Sequence, residues 1–220
     1  MHRFQGLYGV TDGQLQPDDR ILFETVERAL MGGMKVLQYR DKSLDHGKRF
    51  RQAAALKILC HKYQAILLIN DDVDLAIEVE ADGVHLGQQD ECLTEAREKL
   101  GDYAIIGISC EGSLELAFKA EQQGADYVAF GRFFPSRTKP DAKNADLSVL
   151  SAARQVLTLP VVAIGGITVD NAPQVISGGA NMVAVVHSLF SAQNIRDRAQ
   201  EFNALYSEGS VHDKQHEPHL

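Results

Sequence analysis

Two acidic residues have the types and spacing that could bind a metal ion together with a phosphorylated ligand. Asp71 follows the aliphatic run ILLIN, and Asp90 follows the run GVHLGQQ. Carboxylate oxygens are ligands that Mg²⁺ prefers, and protein-bound Mg²⁺ often connects one or two carboxylates to substrate phosphates. If the two runs are neighbouring strands, Asp71 and Asp90 can share one Mg²⁺. The alternative is that each forms an ordinary salt bridge.

Basic residues follow several of the same apolar runs, although the chain as a whole is acidic. It has 30 acidic and 22 basic residues and a formal net charge of −8. A positive rim on an acidic body favours a small polyanion such as a phosphate or pyrophosphate. An acidic chain without long basic runs also argues against nucleic acid or an anionic membrane as a partner. The rim residues are Arg40, Lys42, Arg132, Arg137, Lys139 and Lys143.

Two further segments have the composition of phosphate-binding loops. The stretch GRFFPSRTKP, residues 131–140, contains hydroxyl and basic side chains that can donate hydrogen bonds to phosphate oxygens. The stretch AIGGIT, residues 163–168, passes through two glycines into a predicted helix with Thr168 as its N-cap. Exposed amides and a helix N-terminus form an anion site. A solvated surface loop and a tight turn without ligand are the respective alternatives.

The elements that must position these residues are eight short aliphatic runs separated by segments of helical period. Uninterrupted apolar runs indicate strands that are covered on both faces, as in parallel sheets. Eight such units in 220 residues predict a single (β/α)₈ TIM barrel of the α/β class. The predicted strands are 7–12, 35–41, 65–71, 83–88, 104–109, 127–132, 161–167 and 182–189, with helices over 21–33, 45–63, 93–101, 113–125 and 168–180.

The alternative architecture is an open doubly wound sheet, which would favour a G-x-G-x-x-G after the first strand that is absent here. In a barrel, the chemistry collects at the carboxyl ends of the strands, where the polar residues of this chain also fall. We expect the barrel to span residues 1–206 and the polar, aperiodic segment 207–220 to be a disordered tail.

Several kinds of chemistry and location are excluded by what the sequence contains. Its three cysteines form no C-x-x-C pair, so neither a disulfide framework nor a zinc site is indicated. No apolar run approaches the roughly 20 residues of a membrane span, and we expect a soluble, cytoplasmic protein. No predicted strand carries a lysine suited to Schiff-base chemistry, and no nucleophile–base set is evident. His85 is expected to face the inside of the barrel.

Seven motifs, spread over about residues 7–206, resemble the thiamine phosphate synthase family. They occur in the order and spacing typical of that family, at the ends of the predicted strands. The motifs are QYRDK, LLINDDVDLA, GVHLGQQD, GIS, GRFFPSRTK, AIGGI and VAVVHS.

The resemblance implies a TIM-like barrel that joins 4-amino-5-hydroxymethyl-2-methylpyrimidine diphosphate to a thiazole phosphate, with Mg²⁺ as cofactor. The products would be thiamine phosphate and pyrophosphate. Asp71 and Asp90 would hold the metal ion. The residues implied for the pyrimidine diphosphate are Gln38, Tyr39, Arg40, Asp41, Lys42, Asn70, Ser109 and Lys139, of which Arg40, Lys42, Ser109 and Lys139 are implied as catalytic. Those implied for the thiazole phosphate are Ser136, Arg137, Thr138, Gly166, Val186 and His187.

Three positions depart from the family pattern, and two other functions stay open at this point. His187 replaces a common serine, Ser136 a common threonine, and Glu111 a common histidine. A catalytically lapsed binding or regulatory relative should lose the metal carboxylates and the diphosphate cations, all of which are present here. A sugar-phosphate isomerase or epimerase using His85 or His187 would not need that set of charges. The oligomeric state is left open.

Overall fold

The computed structural model describes residues 4–135 and 145–208, and within them eight parallel strands form a closed barrel. Each strand pairs with its neighbours in chain order, and β1 pairs with β8 to complete the closure. The predicted barrel is therefore confirmed, and the open doubly wound sheet is not observed. The strands are β1 Gly6–Val10, β2 Val36–Tyr39, β3 Ile66–Asn70, β4 Gly83–Leu86, β5 Ile105–Ser109, β6 Tyr127–Phe130, β7 Val161–Ile164 and β8 Met182–Val185.

Helices follow the strands and cover the outside of the barrel. None of the described helices is both long and apolar enough to cross a membrane. The helices are α1 Asp19–Met31, α2 His46–Lys62, α3 Val73–Glu78, α4 Leu93–Leu100, α5 Leu114–Gln122, α6 Ser148–Val156, α7 Ala172–Gly178, α8 His187–Phe190 and α9 Ile195–Glu208.

Alternation along the strands separates two buried clusters. Side chains of successive strand residues point to opposite faces, so every second residue enters the barrel and the others pack against the helices. The larger cluster lies between the strands and the helices. The smaller cluster fills the barrel interior, and its buried members are Tyr8, Val10, Val36, Ile66, Leu68, Ile105, Tyr127, Ala129, Val162, Met182 and Ala184.

Two of the predicted boundaries that differ from the structure lie after β7 and β8. The eighth strand ends at Val185, and His187 begins a short helix instead of continuing the strand to residue 189. The seventh helix starts at Ala172 with Asn171 at its cap, so Thr168 is not the N-cap. The last helix reaches Glu208, and the predicted disordered tail lies almost entirely outside the described residues.

A glycine on β5 makes room for one of the two tyrosine rings in the barrel interior. A Cβ atom on Gly107 would lie 1.9 Å from the Tyr127 ring, which is fully buried. The tyrosine thus occupies the volume that a larger residue on the neighbouring strand would need. Protein interiors are close-packed, so this contact cannot relax cheaply.

We predict that Gly107→Ala destabilises the fold by about 1–3 kcal/mol, because overpacking a buried site displaces its neighbours. Gly13→Ala is the matched control, since a Cβ there meets nothing within 4 Å. The free energy of unfolding from denaturant titration measures both. Equal stability of the two variants would contradict the packing described for Tyr127.

Candidate active site

The end of β2 divides the predicted diphosphate residues between the two faces of the sheet. Gln38 faces the barrel interior, where its amide hydrogen-bonds the Tyr8 hydroxyl. Tyr39 faces outward, and its hydroxyl donates to Gln52 Oε1 on α2 at 2.7 Å. The Tyr39 side chain is buried in the helix layer, and its hydroxyl is used by Gln52. The predicted contact of this residue with the diphosphate stays a prediction.

The carboxylate of Asp41 stabilises the loop after β2. Its carboxylate accepts from the Ser43 amide at 2.7 Å and pairs with Lys48 Nζ at 2.7 Å. Although burial opposes the shift, the hydrogen bonds from Lys48 and Ser43 lower the pKa of Asp41. The carboxylate therefore stays ionised and holds the loop that carries Lys42. Its predicted contact with the diphosphate stays a prediction.

The backbone of Arg40 is fixed to the neighbouring strand end by one hydroxyl. Thr11 Oγ1 accepts from the Arg40 amide at 2.7 Å and donates to the Arg40 carbonyl at 3.1 Å. The half-buried guanidinium makes no ion pair with any residue that the structure describes. It is thus a positioned cation that can bind an anionic ligand bidentately.

Asp71 and Asp90 come together at the ends of neighbouring strands. Asp71 has a left-handed backbone with φ of 64° and donates its amide to the His85 carbonyl at 2.9 Å. Its carboxylate lies 2.5 Å from Lys42 Nζ and within hydrogen-bonding range of Asp90. Asp90 in turn accepts from the Gly87 amide at 2.6 Å. Two carboxylates and one ammonium group therefore meet at the rim.

The surroundings of the two carboxylates shift their pKa values in opposite directions. Burial raises the pKa of Asp90, and its contact with the Asp71 carboxylate raises it further. Burial would also raise the pKa of Asp71, but hydrogen bonds from Lys42 and Asp90, with the Lys42 charge, hold it below its ordinary value. Two carboxylates that compete for one proton are a fitting site for a divalent cation, which can replace that proton.

Asp72 has a different task from its neighbour. Its side chain caps α3 by accepting from the Leu75 amide at 2.9 Å, and it also pairs with Arg49. Asp74 lies in the first turn of the same helix, where an acid is favoured by the helix dipole. Both acids therefore stabilise the start of α3.

Asn70 and Ser109 occupy inward positions at the last residues of β3 and β5. Both side chains are half-buried, which leaves part of each open to the rim. The Ser109 carbonyl accepts from Gln88 Nε2 at 2.7 Å, so the loop after β4 is tied to the end of β5. The two residues are in position to contact a ligand that enters the barrel mouth.

The loop after β7 packs closely on the loop after β6. A Cβ on Gly166 would lie 2.3 Å from the Pro135 carbonyl, and the glycine has a φ of 66°. Only glycine fits a position that needs both the left-handed backbone and this approach. The Gly166 carbonyl accepts from Asn171 Nδ2 at 3.0 Å, which fixes the turn into α7.

The predicted thiazole phosphate residues lie partly within the described structure. Gly166 follows β7, and Val186 and His187 follow the neighbouring β8. Both rim residues after β8 are half-buried. Outside the described residues lie the predicted thiazole phosphate residues Ser136, Arg137 and Thr138, the predicted diphosphate residue Lys139 and the rim residue Lys143.

Sequence reasoning missed the residues that support the site from below. Tyr8 and Tyr127 form hydrogen bonds in the barrel interior, and Asn171 fixes the Gly166 turn. The signal for the tyrosines was the two-residue period, because Tyr8 and Val10, or Tyr127 and Ala129, share the inner face. The same two-residue period predicts that the Tyr39 side chain faces the helices.

Comparisons with known proteins agree with the motifs and the fold. A family model described as thiamine monophosphate synthase matches residues 7–189. The thiamine-phosphate synthase of Saccharophagus degradans is 54% identical over 199 residues, covering 90% of this chain and 92% of that protein. The thiamine-phosphate synthase of Alcanivorax borkumensis is 52% identical over 209 residues, covering 94% and 96%.

A solved structure is also similar over nearly the whole chain. It is that of thiamine phosphate pyrophosphorylase from Pyrococcus furiosus, with a TM-score of 0.85, 35% identity and coverage of 94% of this chain and 97% of that one. The chain therefore belongs to the thiamine monophosphate synthase family and is a transferase of thiamine biosynthesis.

Proposed function

We propose that this protein condenses 4-amino-5-hydroxymethyl-2-methylpyrimidine diphosphate with a thiazole phosphate to give thiamine phosphate and pyrophosphate, with Mg²⁺ as cofactor. The proposal includes a cytoplasmic location and small phosphorylated molecules as the ligands. The observation that carries it is the group of Asp71, Asp90 and Lys42 at the barrel mouth, together with Arg40, whose guanidinium makes no ion pair within residues 4–135 and 145–208.

Asp71 and Asp90 are the residues that would hold the metal ion. Their carboxylates are close enough to compete for one proton, which is the arrangement that a divalent cation relieves. When bound, the ion supplies positive charge to the oxygens of the diphosphate. Lys42, which neutralises Asp71 in this structure, is then available to contact the same anion.

The chain's own cations favour departure of pyrophosphate. The C–O bond between the pyrimidine methylene and the diphosphate breaks, and its electron pair leaves with pyrophosphate. Arg40 and Lys42 are placed at the mouth to stabilise this developing charge, and the proposal adds Lys139 from outside the described residues. Fixed cations need little reorganisation during the step, which is why they lower its barrier.

The second half of the reaction needs positioning more than proton transfer. The electron-rich aminopyrimidine delocalises the cation that remains, and the thiazole nitrogen uses its lone pair to form the new C–N bond. Gly166, Val186 and His187, with Ser136, Arg137 and Thr138, are proposed to hold the thiazole phosphate, while Asn70 and Ser109 contact the pyrimidine substrate. Holding two reactants in contact supplies a large part of such a rate enhancement.

We predict that the purified protein forms thiamine phosphate and pyrophosphate from the two substrates in the presence of Mg²⁺. Thiochrome fluorescence and chromatography detect the first product, and a phosphate-release assay coupled to inorganic pyrophosphatase detects the second. Removal of Mg²⁺ by a chelator should abolish turnover. A folded protein that forms neither product would contradict the proposed reaction.

We predict that Asp71→Asn and Asp90→Asn each reduce kcat/KM by about 100-fold or more, because each removes a charged ligand of the proposed metal. Asp74→Asn is the matched control, since this aspartate lies on α3 with a side chain that is 77% exposed. Circular dichroism checks the fold of all three variants. Activity near the wild-type level for either rim variant would contradict the metal assignment.

A further inference from the structure

Four polar side chains form a continuous hydrogen-bonded chain across the inside of the barrel. Gln38 Nε2 lies 2.7 Å from the Tyr8 hydroxyl, and the hydroxyls of Tyr8 and Tyr127 are 2.9 Å apart. The Tyr127 hydroxyl lies 2.8 Å from His85 Nδ1, and the two rings stack with centroids 5.6 Å apart. We name this set the interior chain. It connects β2, β1, β6 and β4.

The two tyrosines in the middle of the interior chain keep their hydroxyl hydrogens. Burial raises the pKa of Tyr8 to about 12, and burial also raises the pKa of Tyr127 well above its ordinary value. Each phenol therefore has one hydrogen to donate and can accept as well. A buried hydroxyl that fails to use its hydrogen costs free energy, so each hydrogen must find an acceptor within the chain.

This requirement gives the interior chain a single direction once one end is set. Gln38 donates to Tyr8, so Tyr8 must donate to Tyr127, and Tyr127 must donate to His85. His85 Nδ1 can accept only when it carries no hydrogen. The neutral imidazole then has its hydrogen on Nε2.

The opposite direction of the interior chain also gives every hydroxyl hydrogen an acceptor. The hydrogen bonds at the Gln38 end and at the His85 end must therefore have the same direction. If the Gln38 carbonyl accepted from Tyr8, then Tyr127 would donate to Tyr8 and His85 Nδ1 would donate to Tyr127. The orientation of the Gln38 amide and the tautomer of His85 therefore change together or not at all. An amide flip of Gln38 would require all the hydroxyls between them to reverse.

The observed direction determines what Gln38 presents to the barrel mouth. The bond to Tyr8 is the one hydrogen bond that this amide makes within the described residues, so its carbonyl oxygen and second N–H remain available. A primary amide can use the carbonyl and the adjacent N–H as a pair. Such a pair matches an exocyclic amino group next to an unprotonated ring nitrogen, as in the recognition of adenine by glutamine.

We propose that Tyr8, Tyr127 and His85 are positioning residues that hold the Gln38 amide in the orientation selective for a 4-aminopyrimidine edge. The inference rests on the proposed function, because it assigns the pyrimidine substrate to Gln38. The interior chain contacts no reacting atom in this account. It excludes a 4-oxopyrimidine, whose ring N–H and carbonyl present the inverse pattern and would need the flipped amide.

The substrate test uses the 4-oxo analogue of the pyrimidine diphosphate. The wild-type protein should prefer the 4-amino substrate by about 100-fold or more in kcat/KM, because a mismatched edge leaves buried polar groups unpaired. Tyr8→Phe and Tyr127→Phe keep the aromatic rings but remove a hydroxyl, which interrupts the hydrogen bonds of the interior chain. Each should lower this preference about tenfold, since the freed amide can rotate to fit the analogue.

The matched control is Tyr63→Phe, which removes a phenol hydroxyl whose partner is Glu27 at 2.9 Å in the outer helix layer. It should keep the wild-type preference. A loss of stability alone would change the rates with both substrates in parallel and leave their ratio unchanged. An unchanged ratio in both interior variants would overturn the proposal.

A second test determines the direction of the hydrogen bonds in the interior chain by spectroscopy and requires no enzymatic turnover. Long-range ¹H–¹⁵N spectra distinguish protonated from unprotonated ring nitrogens, and loss of signals in His85→Asn identifies the residue. We expect the hydrogen on Nε2 in the wild-type protein. In Gln38→Glu the carboxylate can only accept, so the chain should reverse and the hydrogen should move to Nδ1.

The two tests separate the possible failures. If the wild-type protein forms no product from either pyrimidine, the proposed function fails, and the spectra still decide the direction of the interior chain. If the wild-type protein is active but His85 carries its hydrogen on Nδ1, the orientation assigned to Gln38 is overturned while the proposed function stands. The same tautomer in wild type and Gln38→Glu would overturn the coupling.

Discussion

Closure of eight parallel strands imposes a two-residue alternation that determines which strand side chains enter the barrel. Each strand sends one side chain inward for every one that it sends toward the helices, and closure leaves no edge at which the register can slip. Gln38 and Tyr39 are adjacent in the chain, yet one faces the barrel interior and the other packs on α2. Neighbours in the sequence of one strand therefore lie on opposite faces of the sheet and have different surroundings.

Charge placement at the mouth follows from the cost of leaving like charges together. Asp71 and Asp72 are neighbours in sequence, but the left-handed backbone of Asp71 directs it to Lys42 and Asp90, whereas Asp72 caps α3. Each carboxylate thus has its own compensation. Like charges remain close together in the pair formed by Asp71 and Asp90. A bound cation would relieve the repulsion within this pair.

The sequence was sufficient to predict the barrel and to bring Asp71 and Asp90 to the ends of neighbouring strands, because apolar runs and polar strand ends are local signals. It misplaced the helix start at Thr168, since the cap depends on how Asn171 bonds the Gly166 turn. It extended the eighth strand through His187, because the residues after Val185 remain apolar enough to resemble a strand. The interior chain was not predicted, because hydrogen bonds between distant strands depend on the register of the closed sheet.

The most direct test of this account is a crystal structure of the protein with Mg²⁺ and pyrophosphate. The account predicts a metal ion bound by oxygens of both Asp71 and Asp90 at about 2.0–2.1 Å, with pyrophosphate in contact with the ion and with Arg40. Lys42 should then contact the anion. A metal ion bound elsewhere, or pyrophosphate bound away from these two carboxylates, would contradict the account.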